Sequence, residues 1–318
     1  MDFRQLRYFV GIVDEQSISL AAKRLRVAQP ALSHHVRSLE ADLGVPLLVR
    51  GVRGVKPTEA GERLYAYAVN ILNYVDEAAD RVRRFGAEPQ GLVTLGLPTS
   101  VALVLAVPLV EAVCRELPHV RLRVIEGMSG HILEWLQAHR VDIAMLFDVK
   151  GLKTLATQTL LTEDLYAVCP PGACSGKVSF AEAATFPLIV PGRPHGLRER
   201  LELAARKAGL SLNIKAEIDA LPEIKMLVQR GVGSSILSLS AVREEREAHL
   251  VEVRSIVKPS LQRTVYLCQA KGRPLTHAAE AVRQIALRVV QDLVTQALWP
   301  GRPSSSLFLD RQNERGGA

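Results

Sequence analysis

From residue 92 onward the chain alternates strand-like and helix-like segments, and this rhythm restricts the fold more than any other feature. LVTLGL (92–97) is a short apolar run, and 101–116 has helical spacing. VRLRVIE (120–126) alternates as a strand, about 131–139 returns to helical spacing, and VDIAMLF (141–147) reads as a buried strand. TLATQTLLTEDLYAVC (154–169) is extended, with a bend expected near Thr162–Glu163. Strands then recur near 187–190, 214–219, 234–238 and 265–270, and helices near 195–209, 222–230 and 275–298. Strands separated by helices of this length build sheets whose neighbours run parallel, so one or two α/β units with largely parallel sheets are expected. Ligands of such sheets bind beyond the strand C-terminal ends, close to helix N-termini.

The first ninety residues follow another rhythm. Phe3, Leu6, Phe9, Val10 and Val13 have helical spacing. Ser17 offers an N-cap to a short helix with Ile18, Ala21, Ala22 and Leu25 on one face. After a tight connection, AQPALSHHVRSLEADLG (28–44) has an apolar stripe at Leu32, Val36, Leu39 and Leu43, with Pro30 in the first turn and Gly44 as the stop. Arg50-Gly51-Val52-Arg53-Gly54 then reads as a hairpin tip between basic residues. Charge is concentrated here. Residues 1–57 hold nine basic and five acidic side chains, so they carry four of the chain's seven net positive charges. A polyanionic partner for this end is the simplest reading.

Thr58 caps a long helix whose apolar positions are Leu64, Ala68, Ile71, Val75, Ala78, Val82 and Phe85. Their alternating spacing of four and three is a heptad seam, suited to pairing with a second helix. Packing on its own domain is the alternative. The uncharged run 91–110 has the length of a membrane span. Gly96, Pro98, Thr99, Ser100 and Pro108 interrupt it, so a strand, a turn and a buried helix are expected. The N-terminus lacks an apolar signal core, and none of the four cysteines is in a C-x-x-C pair, which together fit a cytoplasmic protein.

On a helical wheel Pro30, His34, Arg37 and Ala41 lie opposite the stripe of 28–44, with Ser33 and Ser38 on the flanks. A small polar face with one cation suits the DNA major groove; a solvated face is the alternative. His34 and His35 are adjacent, which turns them about 100° apart, whereas metal pairs on a helix are three or four residues apart. His34 is the outward residue and His35 a packing one.

Residues 3–61 resemble the DNA-binding domain of LysR-type transcriptional regulators, through FRQLRYFVGIVDEQSISLAAKRLRVAQPALSHHVRSLEADLGVPLLVR and, past the hairpin, KPTEAG. The order of the remainder is similar, so the resemblance covers about 1–298. It implies an α/β multidomain protein: an N-terminal winged helix-turn-helix (1–58), a long linker and dimerisation helix (59–87) and a C-terminal two-lobed, periplasmic-binding-protein-like α/β effector domain (88–300). Lobe 1 would take about 91–162 and 268–298, lobe 2 about 163–267, and 301–318, rich in Gly, Pro, Ser and charge, would be a disordered tail. By this resemblance Gln29, Pro30, Ser33, His34 and Arg37 approach promoter DNA in the major groove. Arg50 and Arg53 touch the backbone beside the wing or the minor groove, and Leu64, Ala68, Ile71, Val75 and Val82 pair two chains. It further implies a homodimer assembling to a homotetramer, control by a small organic effector, and RNA polymerase as a partner. The family's common pattern has an Arg-Gln pair where this chain has His34-His35, which opens the base preference.

Three places stand out for the effector. Thr99 and Ser100, and also Ser129 in Gly127-Met128-Ser129-Gly130, lie between a strand and a helix start, where hydroxyls and amides hold a carboxylate or simply cap. PGRPHGLR (191–198) opens a lobe 2 helix with Arg193, His195 and Arg198; it resembles a segment of a nitrogen-assimilation-regulator branch of the family. Were these groups to converge, an organic acid would be favoured. Gly233, in Val232-Gly233-Ser234, resembles a cleft-lining turn. Cys169 and Cys174 of CPPGAC are read as structural, with a thiol sensor as the alternative. No cofactor, metal site or catalytic constellation is expected, His131-x-x-Glu134 being a lone pair. The rival reading is a small-molecule binding protein or enzyme with a fused dimerisation module.

Overall fold

The computed structural model describes every residue except 52–53, 84–87, 150, 174–175, 194, 273 and 309–318, and only the backbone at 50, 70, 73 and 76–83. It divides into two compact units, Met1–Ala87 and Glu88–Ala318.

The first unit contains α1 (Phe3–Glu15), α2 (Ile18–Leu25), α3 (Gln29–Leu43), an antiparallel hairpin of β1 (Leu48–Gly51) and β2 (Gly54–Pro57), and α4 (Glu59–Arg83). Helix starts follow local chemistry. Asp2 and Gln5 form a reciprocal capping box at α1, and Ser17 accepts the Leu20 N–H at α2. Thr58 donates to the Pro46 carbonyl at 2.8 Å and accepts the Gly61 N–H at 3.0 Å, joining the hairpin to α4. Gly61 has no substitute there, because a Cβ would sit 2.1 Å from the Leu47 carbonyl oxygen.

Leu32 and Val36 are buried with Ile12, Ile18 and Ala21, while Leu39 meets Phe9 and Leu47. Leu43, expected in the same stripe, is 40% exposed, because α3 ends at Gly44 before its fourth apolar residue reaches the core. A second difference concerns α4. Leu64, Ala68 and Ile71 pack, with Leu72, on Leu6 and Val10 of α1. The first half of the heptad stripe is therefore occupied within the unit. Val75 is half-buried, and the side chains of Ala78 and Val82 lie outside the described residues.

The second unit runs β3 (Gly91–Pro98), α5 (Thr99–Glu116), β4 (Val120–Gly127), α6 (Ser129–Gln137), β5 (Ile143–Phe147), β6 (Leu155–Cys169), β7 (Val178–Ser179) and α7 (Phe180–Thr185). It continues with β8 (Leu188–Val190), α8 (Gly196–Lys207), β9 (Ile214–Glu217), α9 (Leu221–Gln229), β10 (Ser235–Ser238), α10 (Arg243–Glu247), β11 (Glu252–Val257), β12 (Leu261–Ala270), α11 (His277–Thr295), β13 (Arg302–Pro303) and α12 (Ser305–Phe308). The main sheet has the order β4-β3-β5-β12-β6-β11-β7, with β10 and β13 also on β6.

This sheet is less parallel than expected. β3 is parallel to β4 and β5, but β6 and β12 lie side by side antiparallel, as do β10 and β11 on β6. The reason is length. β6 and β12 each run from one hydrophobic core to the other, in opposite directions. Leu160, Leu161, Val265 and Leu267 belong to one core, and Leu165 and Leu261 to the other. β6 is also continuous through Thr162–Glu163, so the expected bend is absent; the irregularity is a bulge at Leu160, opposite Val265/Tyr266.

The tail differs as well. Residues 301–308 are ordered: β13 pairs with Thr162 and Leu161 of β6, and Leu307 is buried in the core with Trp299. Composition suggested disorder, but close backbone approach explains the order. A Cβ at Gly301 would meet the Leu161 side chain at 2.4 Å.

Candidate functional site

In the first unit the candidate surface is α3. Burying Leu32, Val36 and Leu39 fixes the helix rotation, which leaves Gln29, Pro30, His34 and Arg37 exposed and Ser33 half-buried. His35 turns the other way, in a T-shaped contact with Tyr8 whose ring centroids are 5.2 Å apart. Ser38 accepts from the Gln5 amide at 3.2 Å, and Glu40 accepts from the Leu47 and Leu48 N–H groups. The flanks of α3 are thus tied down while its outward face keeps its donors. The only protein bond from that face is Arg37 Nε to the Ser33 carbonyl at 3.3 Å, among the described residues. Val52, Arg53 and the Arg50 side chain lie outside the described residues. Along α4, Tyr67 is 69% and Tyr74 41% exposed, seven residues apart on the side away from α1.

In the second unit a cleft of about 60 Å³ is lined by the beginnings of four helices. Thr99 and Ser100 open α5, Met128 and Ser129 open α6, His195 caps α8, and Leu221 opens α9. A water needs roughly 10–15 Å³ on this measure, so the cleft holds a handful of waters or a ligand of that size. Each helix start carries a partial positive charge, and those of α5 and α6 have no side-chain cap on their first N–H groups. Phe147, Leu197, Leu237 and Ile224 supply the apolar walls.

The positive side-chain charge in the cleft comes from Arg263, which is 6% exposed. Arg263 of β12 stands directly opposite Glu163 of β6 in the strand register, and the two form a buried ion pair. Arg263 Nη2 also donates to Ser100 at 2.8 Å and Ser238 at 2.9 Å, and its guanidinium lies 3.8 Å over the Phe147 ring. Glu163 Oε2 accepts from Ser240 at 3.2 Å and from the Trp299 indole N–H at 3.1 Å. The pair sits between the two cores, where desolvation is severe and every partner counts. Arg263 Nη1 has no hydrogen-bond partner among the described residues, and the residue faces the cleft.

His195 lines the cleft and accepts the Leu197 N–H on Nδ1 at 3.1 Å. Burial, reinforced by Arg263 and opposed by Asp219, holds its imidazole below the ordinary histidine range. Asp219 also lines the cleft, with Oδ1 accepting the Gly192 N–H at 2.9 Å.

Thr99, Ser100, Ser129 and His195 therefore come together in one place. Arg193 and Arg198 do not join them. Arg193 reaches outward to Glu202 at 2.5 Å, and buried Arg198 is held by Glu202 and Glu217 at 2.6 and 2.8 Å. The two arginines clamp the 191–193 loop to α8 and β9. Gly233 packs elsewhere, where a Cβ would lie 2.3 Å from the Pro187 carbonyl oxygen. Arg263 was missed by sequence reasoning, although a signal exists. Leu261, Arg263 and Val265 share one strand phase, as do Leu161, Glu163 and Leu165, so each strand carries one charge on its buried face.

Other chemistry is sparse. Among the described residues no group of His, Cys, Asp or Glu could hold a metal, and no helix is long and apolar enough to cross a membrane. His131 stacks on Trp135. Cys169 is buried and disulfide-bonded at the end of β6, while Cys174 lies outside the described residues. Burial pushes the Cys268 thiol up to about 12.

Comparison with known proteins decides the family. The bacterial regulatory helix-turn-helix model of the lysR family matches residues 3–62, and the LysR substrate binding domain matches 86–291. The chain belongs to the LysR family. It is 34% identical to the nitrogen assimilation regulatory protein nac of Klebsiella aerogenes over 91% of this chain and 95% of that one. In structure it is similar to a full-length OxyR cysteine-to-aspartate variant from Pseudomonas aeruginosa, with a TM-score of 0.66, 24% identity and coverage of 92% and 95%. It is also similar to full-length CbnR complexed with its target DNA, with a TM-score of 0.51, 22% identity and coverage of 91% and 100%. This LysR-family chain is a DNA-binding transcriptional regulator with an effector-binding domain, not an enzyme with a fused dimerisation module.

Proposed function

We propose that α3 reads operator DNA through Gln29, Pro30, Ser33, His34 and Arg37, with Arg50 and Arg53 on the phosphate backbone beside the wing. The observation that carries this reading is the outward face of α3, with Gln29, His34 and Arg37 exposed over the buried Leu32, Val36 and Leu39. Ser33 and His34 are short donors and acceptors suited to base edges, and Arg37 to a guanine or a phosphate. Arg53→Ala should weaken binding to all sequences and reduce the salt slope, whereas Ser33→Ala or His34→Ala should change sequence preference. Footprints like the parent's for the last two would remove them from the reading set.

We infer further that the cleft takes a small organic acid, its carboxylate on Arg263, Ser100, Ser129 and the starts of α5 and α6. Four helix N-termini and an arginine with a free edge favour negative charge. Calorimetric titration of the full chain with small carboxylates tests this, with Ser129→Ala expected to weaken binding. A cytoplasmic homodimer assembling to a homotetramer, and acting with RNA polymerase, completes the proposal by family resemblance. Because Leu64, Ala68 and Ile71 face α1, pairing through α4 is assigned to the side bearing Tyr67 and Tyr74. Tyr67→Glu should then shift the sedimentation of the full chain toward the monomer.

A further inference from the structure

The charged groups around the cleft do not add up to a site for a simple anion. Arg263 is already neutralised by Glu163, which lies behind it and outside the cleft lining. His195 spends Nδ1 on the Leu197 N–H, and burial favours its neutral form. That leaves Asp219 as the uncompensated carboxylate of the lining. Asp219 Oδ1 takes one hydrogen bond, from the Gly192 N–H at 2.9 Å, and Oδ2 takes none among the described residues. Asp219 immediately precedes the Ala220 cap of α9. Asp219, Arg263 and His195 all line this one cleft.

A ligand bearing only negative charge would satisfy Arg263 and the helix starts but be repelled by Asp219. A bare amine would satisfy Asp219 but meet four positive helix ends. Only a ligand with both charges a few atoms apart meets every group, and the small volume of about 60 Å³ sets the two charges close together. We infer that the effector is an α-amino acid, its carboxylate on the free edge of Arg263 with Ser100 and Ser129, and its ammonium on Asp219. This rests on the reading of the cleft as the effector site and names the ligand class within it. His195 Nε2 carries the proton of the neutral ring and adds a donor between the two ends, and the apolar walls discriminate among side chains.

The test titrates the full-length protein with the twenty proteinogenic amino acids and, for each, the matched acid without the amino group and the matched amine without the carboxylate. Alanine is thus set against propionate and ethylamine, and glutamate against glutarate. Calorimetry gives the affinities. At least one amino acid should bind roughly tenfold or more tightly than its deaminated partner, the strength of one charge-assisted hydrogen bond. The amine should not bind. Asp219→Asn should bring the amino acid down to the affinity of its deaminated partner, while Asp219→Glu should restore part of the difference. Equal or tighter binding of the deaminated acids would overturn the inference and leave an organic-acid cleft standing. Absence of binding by both series would overturn the cleft reading itself. An amino acid preference that survives Asp219→Asn would overturn the assignment of the ammonium.

Discussion

The outward face of α3 and the floor of the cleft in the second unit use the same kinds of polar residue in opposite ways. On α3, Gln29, His34 and Arg37 are exposed, and the protein makes almost no use of their donors. In and directly behind the cleft, Ser100, Ser238, Ser240, Glu163 and Arg263 are all buried and bond chiefly to one another. The first arrangement costs the fold nothing and leaves affinity for a partner. The second holds two cores together and leaves one guanidinium edge for a ligand. Changes on α3 should therefore alter recognition without altering stability, and changes in the cleft should do both.

The largest expected effect comes from breaking the buried pair. Glu163→Gln leaves the Arg263 charge buried without a counter-charge and should destabilise the second unit by about 3–5 kcal/mol in urea unfolding. An unchanged midpoint would mean that the pair is not a structural centre. Next is His34→Ala, which should change discrimination at one base pair by about 1–3 kcal/mol in binding assays. Its unfolding midpoint should correspond to less than about 0.5 kcal/mol of change, as for other surface sites. Trp299→Phe removes one donor from Glu163 and should cost about 1–3 kcal/mol. Combined with Glu163→Gln it should cost less than the two added together, because both act on one carboxylate.

The smallest effect concerns pH. The His195 imidazole is held below its ordinary value of 6.5, so the folded chain binds fewer protons than the unfolded one. Its contribution is fully present above that value and is lost as pH falls through it, because protonation removes the Nδ1 acceptor that caps α8. His195→Asn keeps a capping oxygen, so thermal melts should show a flatter decline as the pH falls below the ordinary histidine value of 6.5. A parallel decline in both proteins would assign the pH dependence elsewhere.

The two regions also differed in how legible they were. The α3 face follows from a helical period that turns small or polar residues outward, and Leu43 misled only because the helix stops beside it. Thr99, Ser100 and Ser129 were readable as helix starts following strands. Arg263 and Glu163 needed the strand period instead, and their pairing joins residues 100 apart in the chain. Trp299 reaches Glu163 across 136 residues, from just before the stretch whose composition suggests a tail. The α4 stripe had the right period but an ambiguous partner, since α1 satisfies Leu64, Ala68 and Ile71 as well as a second chain could. Period identifies which face is buried; it does not say against what.

Selection of binding sites from a random DNA library tests the central claim most directly, comparing the full-length protein with its His34→Ala variant. The account predicts that both bind with similar salt dependence and melt together, but that the variant loses preference at one position in each half-site. An identical selected sequence for the two proteins would contradict it.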